Sequence, residues 1–268
     1  MPTNIMKQDT WRIFRIMAEF VEGFEEMADV GTAVSIFGSA RTRPDHPDYQ
    51  AAEKTAKLLA KSKISVITGG GPGIMEAANK GAFEVGGKSI GLNITLPHEQ
   101  LGNRYQTKSL DFHYFYVRKV MFMKYASAFI CFPGGFGTLD ECFELITLIQ
   151  TLKVEPFPVV LYGSHYWQGL VDWMRQSLAE KYIDAEDLDI FRIVDTPEEA
   201  VRQVKLGLKK RWWKPDDKVL TDALKGAKHK VPLASQARNT DTVEGTRYGK
   251  RPVVSDKAHL PSPRKPQQ

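Results

Sequence analysis

The sequence predicts an α/β fold: a doubly wound parallel sheet with helices on both faces. Two observations carry this. Short apolar segments that read as strands alternate with longer segments of helical spacing, and alternation of apolar strands with helices implies a parallel sheet buried on both sides. Three of the strands also run into glycine-containing turns, as ligand-binding sheets of this kind do at the carboxyl ends of their strands.

The elements follow in order. An amphipathic helix covers roughly residues 10–27, with Ile13, Phe14, Met17, Phe20, Val21 and Phe24 at helical spacing. Residues 33–37 form a strand ending in Gly38-Ser39, residues 48–61 a helix, and residues 64–68 a strand ending in Gly69-Gly70-Gly71-Pro72-Gly73. A helix over 74–85 and a strand over 88–93 come next, then a polar loop over 94–108 and a strand over 110–114. A helix over 116–125 leads into an apolar strand, 126–132, which ends in Pro133-Gly134-Gly135-Phe136-Gly137-Thr138 before a helix over 139–150. Residues 159–162, 166–181, 191–194 and 197–208 complete the alternation as strand, helix, strand and helix. The expected organisation is an N-terminal helix (1–30), an α/β domain (31–211) and a basic, disordered tail (212–268) in which Pro, Lys, Ser and Thr dominate.

Bulk composition narrows the class. The chain has 268 residues, 42% hydrophobic and 26% charged, ordinary for a soluble protein. No apolar run is long enough to span a bilayer, and the first twenty residues lack the apolar core and cleavage site of a signal peptide, so no membrane partner is expected. The two cysteines, Cys131 and Cys142, imply no disulfide framework and read as small buried hydrophobes in a reducing, cytoplasmic compartment. Net charge is +5, but residues 209–268 hold 15 Lys and Arg against 6 Asp and Glu, leaving the first 208 residues at −4. The basic character belongs to the tail. That tail, with KKRWWK at 209–214, offers cations and tryptophans to nucleic acid, yet a solvated segment with Trp212 and Trp213 docked on the body is the preferred reading. The six histidines are scattered without HExxH or CxxC spacing, so no metal site is expected, and no GxSxG elbow is present.

The glycine turns carry the chemistry. In PGGFGTLDE (133–141), glycines let the backbone approach a ligand, and the helix start offers unpaired amides and a partial positive charge to a phosphate. Thr138 can cap that helix or touch the same anion, and Glu141 sits about one turn inside it. A carboxylate there would repel phosphate, so it needs separate work on the substrate. The second turn, Gly69 to Gly73, is neither a P-loop, lacking Gly-Lys-Ser/Thr, nor GxGxxG, since Ile74 stands where the last glycine belongs. Arg118-Lys119, two cations in an aromatic segment, either reach solvent along their stems or face the pocket and hold an anion.

FGSAR, GGGPGIMEAA, YVRKVMF and PGGFGTLDE follow one another in that order along the chain, within roughly residues 30–205. In these four motifs the chain resembles the Lonely Guy family, Rossmann-like nucleoside 5′-monophosphate phosphoribohydrolases that are often labelled lysine decarboxylases. The resemblance implies Arg118 and Glu141 as the catalytic pair and a homodimer or larger even assembly with the site near the subunit interface. It implies a nucleoside monophosphate substrate, AMP ahead of the N6-substituted cytokinin nucleotides, and no cofactor. The substrate-binding set on this reading takes Gly38 and Ser39 from the first turn, and Gly70, Gly71, Gly73 and Met75 from the second. Lys119 joins it from the Arg-Lys pair, with Pro133, Gly134, Gly135, Gly137 and Thr138 from the third turn. Phe132 and Phe136 are candidates for apolar contact with the purine, or for the core. The N-terminal helix, the 94–108 loop and the basic tail depart from the family pattern. A non-catalytic nucleotide or molybdenum-cofactor carrier on the same fold is the alternative. A pyridoxal-phosphate decarboxylase would need a Schiff-base lysine that no pattern here points to.

Overall fold

The computed structural model describes residues 5–95, 102–210 and 212–213, with side chains from residue 11 onward. The expected tail beyond Trp213 and residues 96–101 of the polar loop lie outside the described residues. Seven strands are present among the described residues: β1 (Ala33–Phe37), β2 (Ser65–Thr68), β3 (Ser89–Ile94), β4 (Lys108–Phe112), β5 (Ala128–Cys131), β6 (Val159–Tyr162) and β7 (Phe191–Val194). They form one all-parallel sheet in the order β4-β3-β2-β1-β5-β6-β7. The described residues also form seven helices: α1 (Ile5–Glu26), α2 (Pro47–Lys61), α3 (Ile74–Phe83), α4 (Phe115–Tyr125), α5 (Phe136–Gln150), α6 (Ser164–Ser177) and α7 (Pro197–Lys209). This is the doubly wound, Rossmann-like α/β architecture.

Strand order places the site. The chain builds outward from β1 through β2 and β3 to β4, then returns through α4 to set β5 against the other side of β1. The switch point therefore lies between β1 and β5, where Phe37 pairs with Cys131. Sheets of this topology leave a crevice there. All five residues of β1 are buried because alternate side chains enter different cores. Ala33 and Phe37 join one with Met121, Leu145 and Trp167. Val34 and Ile36 join the other with Leu59, Ile74 and Val204.

Several expectations are refined. Helix α5 starts at Phe136, three residues early, so Thr138 lies inside the helix, and the cap position belongs to Gly135. Thr138 is thus no cap. A short 3-10 turn, Ala185–Asp189, was not anticipated. Trp212 and Trp213 pack on the body: the Trp212 indole donates to Ile190 O at 2.6 Å, and that of Trp213 to Glu186 O at 2.9 Å. No described helix is long and apolar enough to cross a membrane.

Candidate active site

Three glycine-containing turns meet at the carboxyl ends of β2, β1 and β5, and Ser39 ties them together. Its N–H donates to Pro133 O and its carbonyl accepts from Ile74 N, both at 3.0 Å. Close packing demands glycine at two points. Gly73 adopts φ +67°, and a Cβ there would sit 2.3 Å from Ser39 O. A Cβ on Gly134 would fall 2.1 Å from Thr138 Oγ1. The second turn is braced from the opposite side. Asn103 Nδ2 donates to Gly70 O and Gly71 O at 3.0 Å, and Gln106 Nε2 donates to Gly70 O at the same distance. Beneath them, Thr68 donates to the buried Asn79 at 2.6 Å and accepts from Gly70 N at 2.9 Å.

The turns enclose a cleft of about 990 Å³. Gly38, Ser39, Gly70, Gly71 and Met75 line one side, and Pro133, Gly134, Gly135, Gly137 and Thr138 the other, with Arg118 and Glu141 between. Two expected site residues stand off the wall. Gly73 serves as the joint against Ser39 and Ala40. Lys119 is held behind the cleft by Asp140 at 2.7 Å and Glu144 at 2.9 Å, with Glu141 Oε1 at 4.0 Å. Phe132 is fully buried in the core, stacked on Tyr162 at 4.4 Å, whereas Phe136 stands 92% exposed at the cleft mouth.

The electrostatics single out two side chains. Glu141 is 5% exposed, and its Oε2 has no hydrogen-bond partner among the described residues. Burial pushes its carboxyl up to about 7, against the opposing pull of Lys119 and Arg118. Arg118 lies against the rings of Phe115 and Phe122, at 5.2 and 5.8 Å, and burial lowers its pKa while the Glu141 charge raises it. Its Nη1 reaches Leu92 O at 3.5 Å, and its Nε is unpartnered among the described residues. It makes no direct ion pair with Glu141 there. For Lys119 desolvation works downward, but the hydrogen bonds of Asp140 and Glu144 and the charge of Glu141 raise it overall, so it stays an ammonium. Buried polar atoms of native proteins are paired as a rule, so two orphans on residues that line one cleft mark it as a candidate functional site.

Helices α3 and α5 point their N-termini at the cleft rim without side-chain caps, and α5 carries no acidic residue in its first turn. That leaves amides and dipole for an anion. Residues distant in sequence add a further wall. Asp48 is buried between His46, at 3.6 Å, and His165, at 3.9 Å, and all three line the cleft. No local signal marked this cluster, because its members come from the start of α2 and from α6. Among the described residues no group of three or more His, Cys, Asp or Glu is arranged to hold a metal ion.

Known proteins resemble the chain as follows. A family described as "Possible lysine decarboxylase" matches residues 75–204. A cytokinin riboside 5′-monophosphate phosphoribohydrolase of Arabidopsis thaliana is 30% identical over 166 residues, 59% of this chain and 75% of that protein. A probable enzyme of the same description from Oryza sativa subsp. japonica is 29% identical over 178 residues, 64% of this chain and 75% of the relative. A solved structural-genomics target aligns with a TM-score of 0.50 at 26% identity, over 65% of this chain and 99% of its own. The molybdenum cofactor binding protein of Rippkaea orientalis aligns with a TM-score of 0.51 at 20% identity, over 65% and 96%, a likeness of fold.

Proposed function

This chain belongs to the Lonely Guy family of phosphoribohydrolases, and from that premise we propose that it hydrolyses the N-glycosidic bond of a purine nucleoside 5′-monophosphate. The substrate class is AMP and its N6-substituted forms, cytokinin riboside monophosphates included. The products are the free base and ribose 5-phosphate.

One observation carries the reading: Glu141 and Arg118, each with a buried polar atom that has no partner among the described residues, line a single cleft ringed by phosphate-suited turns. The 5′-phosphate sits on the amides at the start of α5, with the Ser39 hydroxyl and the Arg118 guanidinium beside it. Anchoring it fixes the ribose over Glu141. The C1′–N9 bond then breaks with its electron pair leaving on the purine, which takes up a proton, and the ribosyl carbon becomes oxocarbenium-like. Ionised Glu141 offsets that positive charge and takes a proton from the water that attacks C1′. Met75, Phe115 and Phe136 line the cleft with apolar surface suited to a purine face.

Decarboxylation through a lysine Schiff base is disfavoured, since no lysine lines the cleft among the described residues and Lys119 is bound by carboxylates. A homodimer or larger even assembly fits the exposed Phe115 and Phe136 beside the cleft mouth. Incubation of purified protein with AMP, followed by chromatography, should yield adenine and ribose 5-phosphate in equal amounts. Glu141→Gln should lower kcat by about 100-fold or more. Absence of cleavage of any nucleotide, or an unchanged rate in that variant, overturns the assignment. Tight binding without turnover points instead to a carrier.

A further inference from the structure

Behind the cleft, three carboxylates of α5 converge on one cation of α4. Lys119 Nζ lies 2.7 Å from Asp140 Oδ2, 2.9 Å from Glu144 Oε2 and 4.0 Å from Glu141 Oε1. The first two are hydrogen-bond distances and the third is too long for one, so Lys119 acts on Glu141 through charge alone. Asp140 and Glu144 reach water, with side chains 60% and 35% exposed, whereas Lys119 and Glu141 are mostly enclosed. The two outer carboxylates therefore hold the ammonium in place at little cost to themselves and keep it from closing onto Glu141.

The other groups that act on Glu141 cannot do this work. Arg118 lines the cleft, where the 5′-phosphate of the proposed substrate takes up its charge; Lys119 lies off the wall and keeps its charge when the cleft fills. Cys131, at the end of β5, feels the Glu141 charge, but its contact with Cys142 and its burial hold it as a neutral thiol. A direct bond from Lys119 would make Glu141 a weaker base, and without the cation burial would protonate it at neutral pH. Burial sets the carboxyl at about 7, with Lys119 the foremost of the opposing pulls and Glu144 and Asp140 adding to the rise. On the premise that Glu141 is the base of the hydrolysis, we propose that Lys119 is a positioning residue: tethered by Asp140 and Glu144 just beyond hydrogen-bond reach, it fixes the place and charge of Glu141 without occupying it.

Two substitutions in the full chain should move the ionisation of Glu141 in opposite directions. Lys119→Met keeps the stem and removes the charge. The acid limb of kcat for AMP should rise by about one pH unit, a loss of about tenfold at pH 6 that fades at high pH, with KM nearly unchanged. Glu144→Gln removes a carboxylate that raises Glu141 and should move the limb down; as a surface change off the cleft it keeps the test alive if Lys119→Met fails to fold. The same ionisation is read without substrate by carbon-13 NMR of protein labelled at the glutamate carboxyls, the Glu141 signal being the one that Glu141→Gln lacks. Its titration midpoint should be higher than the parent's in Lys119→Met and lower in Glu144→Gln. If the midpoints part in this way while the parent cleaves no nucleotide, the hydrolase reading falls and the electrostatic role of Lys119 stands. Midpoints that stay together, or shift in the same direction, overturn the proposal. A KM for AMP raised more than about tenfold in Lys119→Met with an unmoved limb makes Lys119 a substrate contact and overturns it too.

Discussion

Glu141 shows how one burial shapes both activity and stability. Its carboxyl ionises near 7 because desolvation outweighs the pull of Lys119 and Arg118. As the base of the proposed reaction it must be ionised, so kcat/KM should climb as pH passes about 7, and a pH–rate profile of Glu141→Gln should lack that limb. Stability runs the other way. The unfolded residue loses its proton near 4.5 and the folded one near 7, so the native state binds more protons between those values and loses stability as pH rises through them. Glu141→Gln should therefore be nearly inactive yet melt higher than the parent at pH 8, with a gain of up to about 3 kcal/mol, and differ less at pH 4. Thermal melts at the two pH values check this. Arg118 and Glu141 were legible in the sequence because each belongs to a motif within one local stretch. Asp48, His46 and His165 were not, since only the fold brings them together.

At the scale of elements, the strands were the most readable part, for most are short apolar runs closed by glycine or a polar turn; half-polar β4 (KSLDF) starts two residues earlier than expected. Boundaries moved where the local code is ambiguous: Phe136-Gly137 looks like loop yet forms the first turn of α5. The bracing of the second turn by Asn103 and Gln106 had no signature, because polar residues in a loop look alike whether bonded or solvated. The turns can be separated by substitution. Gly73→Ala must accept a left-handed backbone and a collision with Ser39 O, so urea unfolding should show a loss of about 1–3 kcal/mol. Gly137→Ala meets nothing within 4 Å and sits in a helix, so it should hold stability or add roughly 0.5 kcal/mol. Because Gly137 lines the cleft, the same variant should raise KM for AMP. A parallel fall in stability for both variants would mean the third turn has only a packing role.

Across the whole molecule, two cores sandwich the sheet, and the chain closes the larger one with Trp213, 6% exposed and hydrogen-bonded to Glu186 O. Its place there shifts the boundary that composition draws at residue 212, in line with the docking of Trp212 and Trp213 on the body that the sequence favoured. Trp213→Ala should reduce the free energy of unfolding by about 3–5 kcal/mol, measured by denaturant titration. The strand order has a last consequence. Rim residues of the cleft come from β1 and β2 on one side of the switch point and from β5 on the other, so any nucleotide seated there rivets the two halves of the sheet. Occupancy should slow the halves' parting more than it slows fraying at the β4 or β7 margins, and amide exchange would register substrate as a clasp across the middle of the molecule.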